Sequence, residues 1–119
     1  MKNKKFWSLV NFVYAFQGIL FLIKTERNAT IYLVVMAVMT WLGFYVHLNA
    51  HEWSALVLAM SLVWMGEALN TGIELLADEI SEEKRERLGR AKDVAAGGVL
   101  LAALGAFVVG LIIFVPHFI

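Results

Sequence analysis

Between residues 67 and 78 the chain reads Glu67-Ala-Leu-Asn-Thr-Gly-Ile-Glu-Leu-Leu-Ala-Asp78. In an α-helix its three carboxylates and one amide, at positions 67, 70, 74 and 78, lie on one face. The stretch follows an apolar run over residues 53–65 that is typical of a membrane span. Placing ionised carboxylates at the end of a membrane span costs free energy, because lipid solvates charge poorly. This face therefore requires cationic partners, either a metal ion or Lys and Arg. The alternative is a hydrogen-bonded seam between helices that has no chemistry.

The composition is that of a membrane protein. Hydrophobic residues make up 61% of the 119 residues, and the mean hydropathy is +0.73, well above that of soluble domains. The absence of cysteine excludes disulfides, thiolate catalysis and cysteine-ligated metals. The formal net charge is zero, so no basic field indicates nucleic acid. We expect residues 1–119 to form a single membrane domain.

The positions of Lys and Arg predict the topology. All 10 lie in two clusters, one within residues 2–27 and the other within residues 84–92. We predict three membrane spans, at about residues 31–48, 53–77 and 94–115. These spans put both clusters on one side, and basic loops favour the cytoplasm, so we expect a cytoplasmic N-terminus and a cytoplasmic connector at residues 78–93. Within the connector, the pattern of residues 81–89 is typical of a short helix with Ser81 as its N-cap, and the alternative is a solvated connector.

Residues 3–23 form the ambiguous segment. It carries no charge from Phe6 to Ile23 and is long enough to be a span. Polar and small residues recur every three or four positions, which predicts an amphipathic helix. If this helix crossed the membrane, most of the Lys and Arg residues would lie outside. We therefore predict an all-α integral membrane protein with an N-terminal amphipathic surface helix and three transmembrane helices; the alternative for residues 3–23 is a first span.

Depth assigns roles to the charged groups at the cytoplasmic end of the second span. Glu67 is the most withdrawn from water and is the candidate general base. Glu74 lies nearer the interface and, with Glu26, offers the oxygen ligands that Mg²⁺ prefers. Lys92, beside Asp93 where the third span begins, is positioned to contact phosphate. The alternative for Glu26 is a surface acid in an ordinary ion pair.

These groups together suit phosphoryl transfer from a water-soluble nucleotide to a hydroxyl held in the bilayer. The nucleotide motifs of soluble kinases and nucleotide hydrolases are absent. One alternative is a small proton-coupled transporter or channel subunit that uses Glu67, although carrier acids usually lie near the membrane midplane. A structural assembly subunit is the other alternative.

The turn between the first two spans carries two histidines. His47 and His51 have the spacing of a metal-binding pair, with Glu52 beside them. The alternative is a polar turn at a membrane surface. Trp53 and Tyr45 predict an aromatic belt at the same surface.

Two motifs near the C-terminus carry a family resemblance. The stretch Glu67 to Asp78, followed by Gly89-Arg-Ala-Lys-Asp93 and Ala95-Ala-Gly-Gly-Val, resembles the bacterial diacylglycerol kinase and undecaprenol kinase family. Tyr14-Ala-Phe-Gln-Gly18 and Glu26-Arg-Asn28 match that family in order and spacing, so the resemblance covers nearly the whole chain. Phe6-Trp7-Ser8 departs from it, because some members carry an Arg there.

The resemblance implies a multi-pass protein of the bacterial cytoplasmic membrane that forms a homotrimer with active sites shared between subunits. It implies ATP as donor, Mg²⁺ as cofactor and a lipid alcohol, diacylglycerol or undecaprenol, as acceptor. Glu67 would be the catalytic base, Glu26 and Glu74 would hold the metal, and Asn70 and Asp78 would support the site. The residues implied to contact the nucleotide are Tyr14, Glu26, Glu74, Glu83, Lys92 and Asp93. The residues implied to border the lipid are Asn11, Ala15, Phe16 and Glu67.

Overall fold

The computed structural model describes the backbone of residues 4–119 and the side chains of residues 8–119. Over this range the chain is all-helical, as predicted, and forms four α-helices followed by a short 3-10 helix at Val115–His117. The α-helices are α1 (Lys4–Thr25), α2 (Ala29–Tyr45), α3 (Ala50–Ile80) and α4 (Glu86–Phe114). The chain divides into two compact units, Met1–Val34 and Val35–Ile119.

Helix length and composition identify the candidate membrane spans. Three helical segments are long and apolar enough to cross a bilayer: Ser8–Thr25, Ala50–Ile80 and Glu86–His117. The apolar α2 is shorter, with 17 residues. At 1.5 Å per residue α3 and α4 are roughly 46 and 43 Å long, which exceeds the hydrocarbon thickness of about 30 Å. Their ends therefore project past the apolar layer. Length and composition alone admit α1 as a span, so its place on the membrane surface stays a prediction.

The connection between α3 and α4 is shorter than the sequence predicts. The prediction of a separate helix at residues 81–89 is wrong, because only residues 81–85 are non-helical and α4 runs on through Gly89. Ser81 ends α3 by donating its backbone N–H to the Ala77 carbonyl at 3.1 Å. Its hydroxyl oxygen accepts the Glu83 N–H at 3.1 Å. Because the hydroxyl serves this local turn, it caps no new helix.

The turn between α2 and α3 is closed by hydrogen bonds of its own. His47 has a φ of 58°, a left-handed conformation that reverses the chain. Asn49 then caps α3: its side chain accepts the Glu52 N–H at 2.9 Å, while the Glu52 carboxylate accepts the Asn49 N–H at 3.1 Å. This reciprocal pair satisfies two backbone donors at the start of α3. Of the predicted metal pair, His47 thus precedes this capping motif and His51 lies within it.

The apolar core of the second unit lies where this turn meets the end of α4, which we call the turn end. Leu48 and Leu56 pack there with Ile113 and Phe114. Glu52 also contacts the C-terminal segment, with its Oε2 atom 2.9 Å from His117 Nε2. The opposite end of the α3–α4 pair, at residues 81–85, we call the connection end. The core therefore holds the two helices together at the end remote from residues 81–85.

Glycines allow the helices of the second unit to approach closely. A Cβ atom on Gly43 of α2 would lie 2.6 Å from Trp53 Cη2, so the indole occupies the space that a side chain would need. Trp53 also contacts Phe44, with ring centroids 4.8 Å apart. Between α3 and α4, a Cβ atom on Gly66 would lie 3.6 Å from the Val99 Cα, which is ordinary contact. The Gly43 contact is with the far end of a side chain, whereas the Gly66 contact is with backbone, so α3 and α4 are the helices whose backbones approach closely.

Candidate active site

The polar face of α3 carries one deeply buried acid. Glu67 is 4% exposed, although it lies in a helix whose neighbouring residues Ala68 and Leu69 are exposed. It belongs to the same face as Asn70 and Glu74, as the helical spacing predicts. Glu67 and Glu74 are seven residues apart, which is about 10 Å along the axis. A carboxylate withdrawn from water thus lies two turns from an exposed one.

Asn70 links these two levels of the helix. Its Nδ2 atom donates to Glu74 Oε1 at 3.2 Å, so the amide orients the carboxylate one turn further along. Its Oδ1 atom is buried and, among the described residues, has no hydrogen-bond partner. A buried polar atom without a partner is costly, and it commonly marks a position where a ligand, ion or water completes the bonding. Asn70 therefore presents one free oxygen beside a carboxylate.

Lys92 joins α4 to the polar face of α3. Its Nζ atom lies 2.6 Å from Asp78 Oδ1. The side chains are 40% and 60% exposed, so the pair is open to solvent. Helical spacing predicts both residues near the site, but it does not predict that they pair. Residues 81–85 join α3 and α4 as an antiparallel pair, which brings the end of α3 beside the start of α4. A separate helix at residues 81–89 would not have predicted that Asp78 and Lys92 lie side by side.

The other predicted residues of the second unit are exposed. Asp93 follows Lys92 on α4, and Glu83 lies in the connection, where its backbone bonds Ser81. The second unit therefore gathers a buried acid, an amide, a carboxylate and a lysine–aspartate pair along one side of α3 near the connection end.

The predicted residues of the first unit lie on α1 and in the turn that follows it. Asn11, Tyr14, Ala15 and Phe16 are all exposed. Asn11 and Ala15 share one face of α1, whereas Phe16 lies about 140° around the helix from Asn11. Glu26 follows the end of α1, and its N–H donates to the Leu22 carbonyl at 2.9 Å while its carbonyl accepts the Ala29 N–H at 3.2 Å. The first unit thus holds Glu26 at a fixed backbone position between α1 and α2.

The donor set fits a hard cation. Over the described residues no three His, Asp or Glu side chains gather into one metal cluster. The Glu74 carboxylate and the partnerless Asn70 Oδ1 are nevertheless oxygen donors on the same helix face. Mg²⁺ is commonly bound by one or two carboxylates and completed by substrate phosphates and water. This arrangement suits such a partial protein shell.

Comparison with known proteins identifies the family. The family model described as prokaryotic diacylglycerol kinase matches residues 13–114. The chain is 35% identical over 106 residues to an undecaprenol kinase of Bacillus subtilis, covering 89% of this chain and 86% of that protein. It is 36% identical over 109 residues to a diacylglycerol kinase of Synechocystis sp., covering 91% of this chain and 62% of that protein. A diacylglycerol kinase of Escherichia coli is 38% identical over 63 residues, covering 53% and 52%.

These matches confirm the resemblance that the two C-terminal motifs predicted, and they favour a kinase over a transporter or channel subunit. The matched residues 13–114 include the whole polar face of α3 and the Lys92–Asp78 pair. The chain belongs to the prokaryotic diacylglycerol kinase family of membrane lipid kinases.

Proposed function

We propose that this protein transfers the terminal phosphoryl group of ATP, with Mg²⁺, to the hydroxyl of a membrane lipid alcohol at the cytoplasmic face of the bacterial membrane. The observation that carries the proposal is the burial of Glu67 on α3, although the adjacent Ala68 and Leu69 are exposed. A carboxylate kept from water near the end of a span suits a reaction whose acceptor arrives from the lipid and whose donor arrives from the water. Family membership supports the same reaction class.

Glu67 takes the proton of the lipid hydroxyl on a carboxylate oxygen. Phosphoryl transfer requires alignment and charge neutralisation more than covalent catalysis, so a base that is held still is sufficient. The exposed lipid-facing residues beside it, such as Leu69, allow an acyl or prenyl chain to lie along α3. On α1, Asn11, Ala15 and Phe16 border the same lipid.

Glu74, Asn70 and Glu26 hold the metal. The Asn70 amide fixes the Glu74 carboxylate by donating from Nδ2, and this leaves the Asn70 Oδ1 atom for the ion or its water. Mg²⁺ held by these residues would supply positive charge to offset that of the transferred phosphoryl group. Glu26 adds a second carboxylate from the turn after α1.

Lys92 binds the nucleotide phosphates. An ammonium group has three donors, and Asp78 accepts one of them at 2.6 Å. The two remaining donors are directed by that contact, because Asp78 restrains an otherwise flexible side chain. Tyr14, Glu83 and Asp93 contact the nucleotide around Lys92. The subunits form a homotrimer with shared sites, α1 lies on the membrane surface, and the N-terminus is cytoplasmic.

Two lipid alcohols are candidate acceptors. The relative covered over 86% of its length is named undecaprenol kinase, whereas the relatives covered over 62% and 52% are named diacylglycerol kinase. Both lipids present a primary hydroxyl at the interface, so the site chemistry is the same for each. The test is purified protein in detergent with ATP, Mg²⁺ and one lipid at a time, scored by phosphate transferred to lipid.

The decisive variant is Glu67→Gln, which keeps the side-chain shape and removes the base. We expect turnover to fall by about 10²- to 10⁴-fold, the usual contribution of a general base. Glu79→Gln is the matched control, because Glu79 is an exposed acid on another face of α3. Removing Mg²⁺ with a chelator should stop turnover of the unaltered protein. Wild-type turnover in Glu67→Gln would refute the assignment of the base.

A further inference from the structure

A second feature lies on a different side of the α3–α4 pair from the candidate active site. It is a groove of about 580 Å³ lined by Ile73 of α3 and by residues of the first turns of α4. Ile73 lies about 100° around α3 from Glu74. On α4, Arg87 lies about 140° from Lys92. The groove therefore lies beside the polar face that the proposed reaction uses and contains none of the charged residues of that face. Its α4 lining consists of Arg87, Arg90, Ala91, Val94 and Ala95.

The groove is apolar along its length and basic at one end. Ile73, Val94 and two alanines form the apolar part, and the small alanine side chains leave room against the helix. Arg87 and Arg90 lie at the end nearest the connection. The groove is shallow and open on one side.

Both arginines are available to a ligand. Among the residues that the structure describes, Arg87 has no ion-pair partner, and its side chain is exposed. Arg90 contacts Glu86 at 3.3 Å, but the two side chains are 74% and 86% exposed. Such an exposed pair on one helix is weak and exchanges readily with a better anion. Two guanidinium groups one turn apart can together bind a phosphate through paired hydrogen bonds.

Charge complementarity and position identify the occupant. We propose that the groove holds an anionic phospholipid of the surrounding membrane, with its phosphate on Arg87 and Arg90 and an acyl chain along Ile73 and Val94. The two arginines precede the apolar part of α4, so they lie at head-group depth when the remainder of that helix is in lipid. A nucleotide fits less well, because its polar ribose would lie against the apolar part of the groove. A zwitterionic lipid fits less well, because its head group would bring a cation to the arginines.

A lipid bound here would hold the start of α4, and therefore Lys92, at the membrane surface. The proposal rests on the membrane placement of α4 stated under the proposed function, and it does not depend on the kinase reaction. Binding in the absence of ATP and lipid alcohol separates the two proposals. Glu67→Gln should bind phospholipid as the unaltered protein does, whatever its turnover.

The test is native mass spectrometry of the delipidated full-length protein, titrated separately with phosphatidylglycerol and phosphatidylcholine. We expect phosphatidylglycerol to be retained in preference to phosphatidylcholine. Each arginine near a membrane surface strengthens anionic lipid binding by roughly fivefold, so Arg87→Gln with Arg90→Gln should weaken it by about 25-fold. The matched control, Lys84→Gln with Arg85→Gln, removes the same charge from residues that do not line the groove and should weaken binding by much less than the Arg87 and Arg90 variant.

A third variant tests the apolar part without changing charge. Ala95→Leu fills the groove and should weaken phosphatidylglycerol binding while the thermal unfolding temperature is retained. Equal retention of phosphatidylcholine, or an equal loss in the Lys84 and Arg85 control, would overturn the proposal. Competition by ATP would make the groove a nucleotide site. A change of oligomeric state in the Arg87 and Arg90 variant, with lipid binding intact, would make it a subunit interface.

Discussion

Replacing Gly43 with alanine tests the close contact between Gly43 and the Trp53 indole in the second unit. The added Cβ atom would lie 2.6 Å from Trp53 Cη2 and 3.0 Å from Leu48 Cδ1, whereas carbon atoms pack at about 3.5–4.0 Å. The indole must therefore move by roughly 1 Å to restore ordinary contact. Phe44 contacts the same indole at a centroid distance of 4.8 Å, which restricts that movement.

The expected loss follows from two opposing effects. Overpacking a well-filled site costs about 1–3 kcal/mol, and alanine favours the helix over glycine by about 1 kcal/mol. The free energy of unfolding of Gly43→Ala should therefore fall by roughly 0–2 kcal/mol. Gly105→Ala isolates the helix-propensity effect, because nothing lies within 4 Å of its added Cβ atom. The difference between the two variants should be about 1–3 kcal/mol.

The assay is reversible unfolding in detergent micelles, followed by far-UV circular dichroism. Trp53→Phe in the Gly43→Ala background should recover part of the loss, because the smaller ring lacks the atoms that collide. A double-mutant cycle measures this coupling. The reasoning is refuted if Gly43→Ala is as stable as Gly105→Ala, or if Trp53→Phe has the same effect in both backgrounds.

Two further predictions concern the nucleotide contact and the topology. Lys92→Gln should raise the KM for ATP while the thermal unfolding temperature stays nearly constant, because a solvent-exposed ion pair contributes little stability. Asp78→Asn should raise the KM by less, and the control Lys84→Gln should change neither quantity. An unaltered KM in Lys92→Gln would contradict the phosphate role. The chain has no cysteine, so a single introduced cysteine reports which side of the membrane it faces. In intact cells a membrane-impermeant maleimide should label Asn49→Cys, and it should label Ser81→Cys only after the cells are opened. Labelling of Ser81→Cys from outside would contradict the predicted topology.

Periodicity was sufficient to predict the polar face of α3. Helical spacing is set by local geometry, so Glu67, Asn70 and Glu74 fall on one side in any α-helix through that stretch. The burial of Glu67 followed from its place beyond the apolar run. The hydrogen bond from Asn70 to Glu74 joins residues four positions apart on the same helix, so it also depends on local geometry alone.

Contacts between helices were harder to predict. Ser81 followed by two acids has the pattern of a helix start, yet its hydroxyl is used inside the connection and α4 begins at Glu86. The Lys92–Asp78 pair depends on that connection and could not be derived from spacing. Trp53 was predicted as a member of an aromatic belt, and its contact with Gly43 depends on how closely α2 approaches α3. Each of these features requires the packing of two elements, about which one-dimensional patterns carry little information.

The uneven distribution of apolar packing along α3 and α4 has a mechanical consequence. Leu56, Phe114 and the Glu52–His117 contact clamp the helices at the turn end, whereas at the connection end a solvent-exposed ion pair bridges them. Residues 81–85 still join the two helices at the connection end, so they act there as a short hinge that limits how far the helices separate. Small movements about this hinge would open and close the space beside Glu74 and Lys92, where a bulky donor must enter and a charged product must leave.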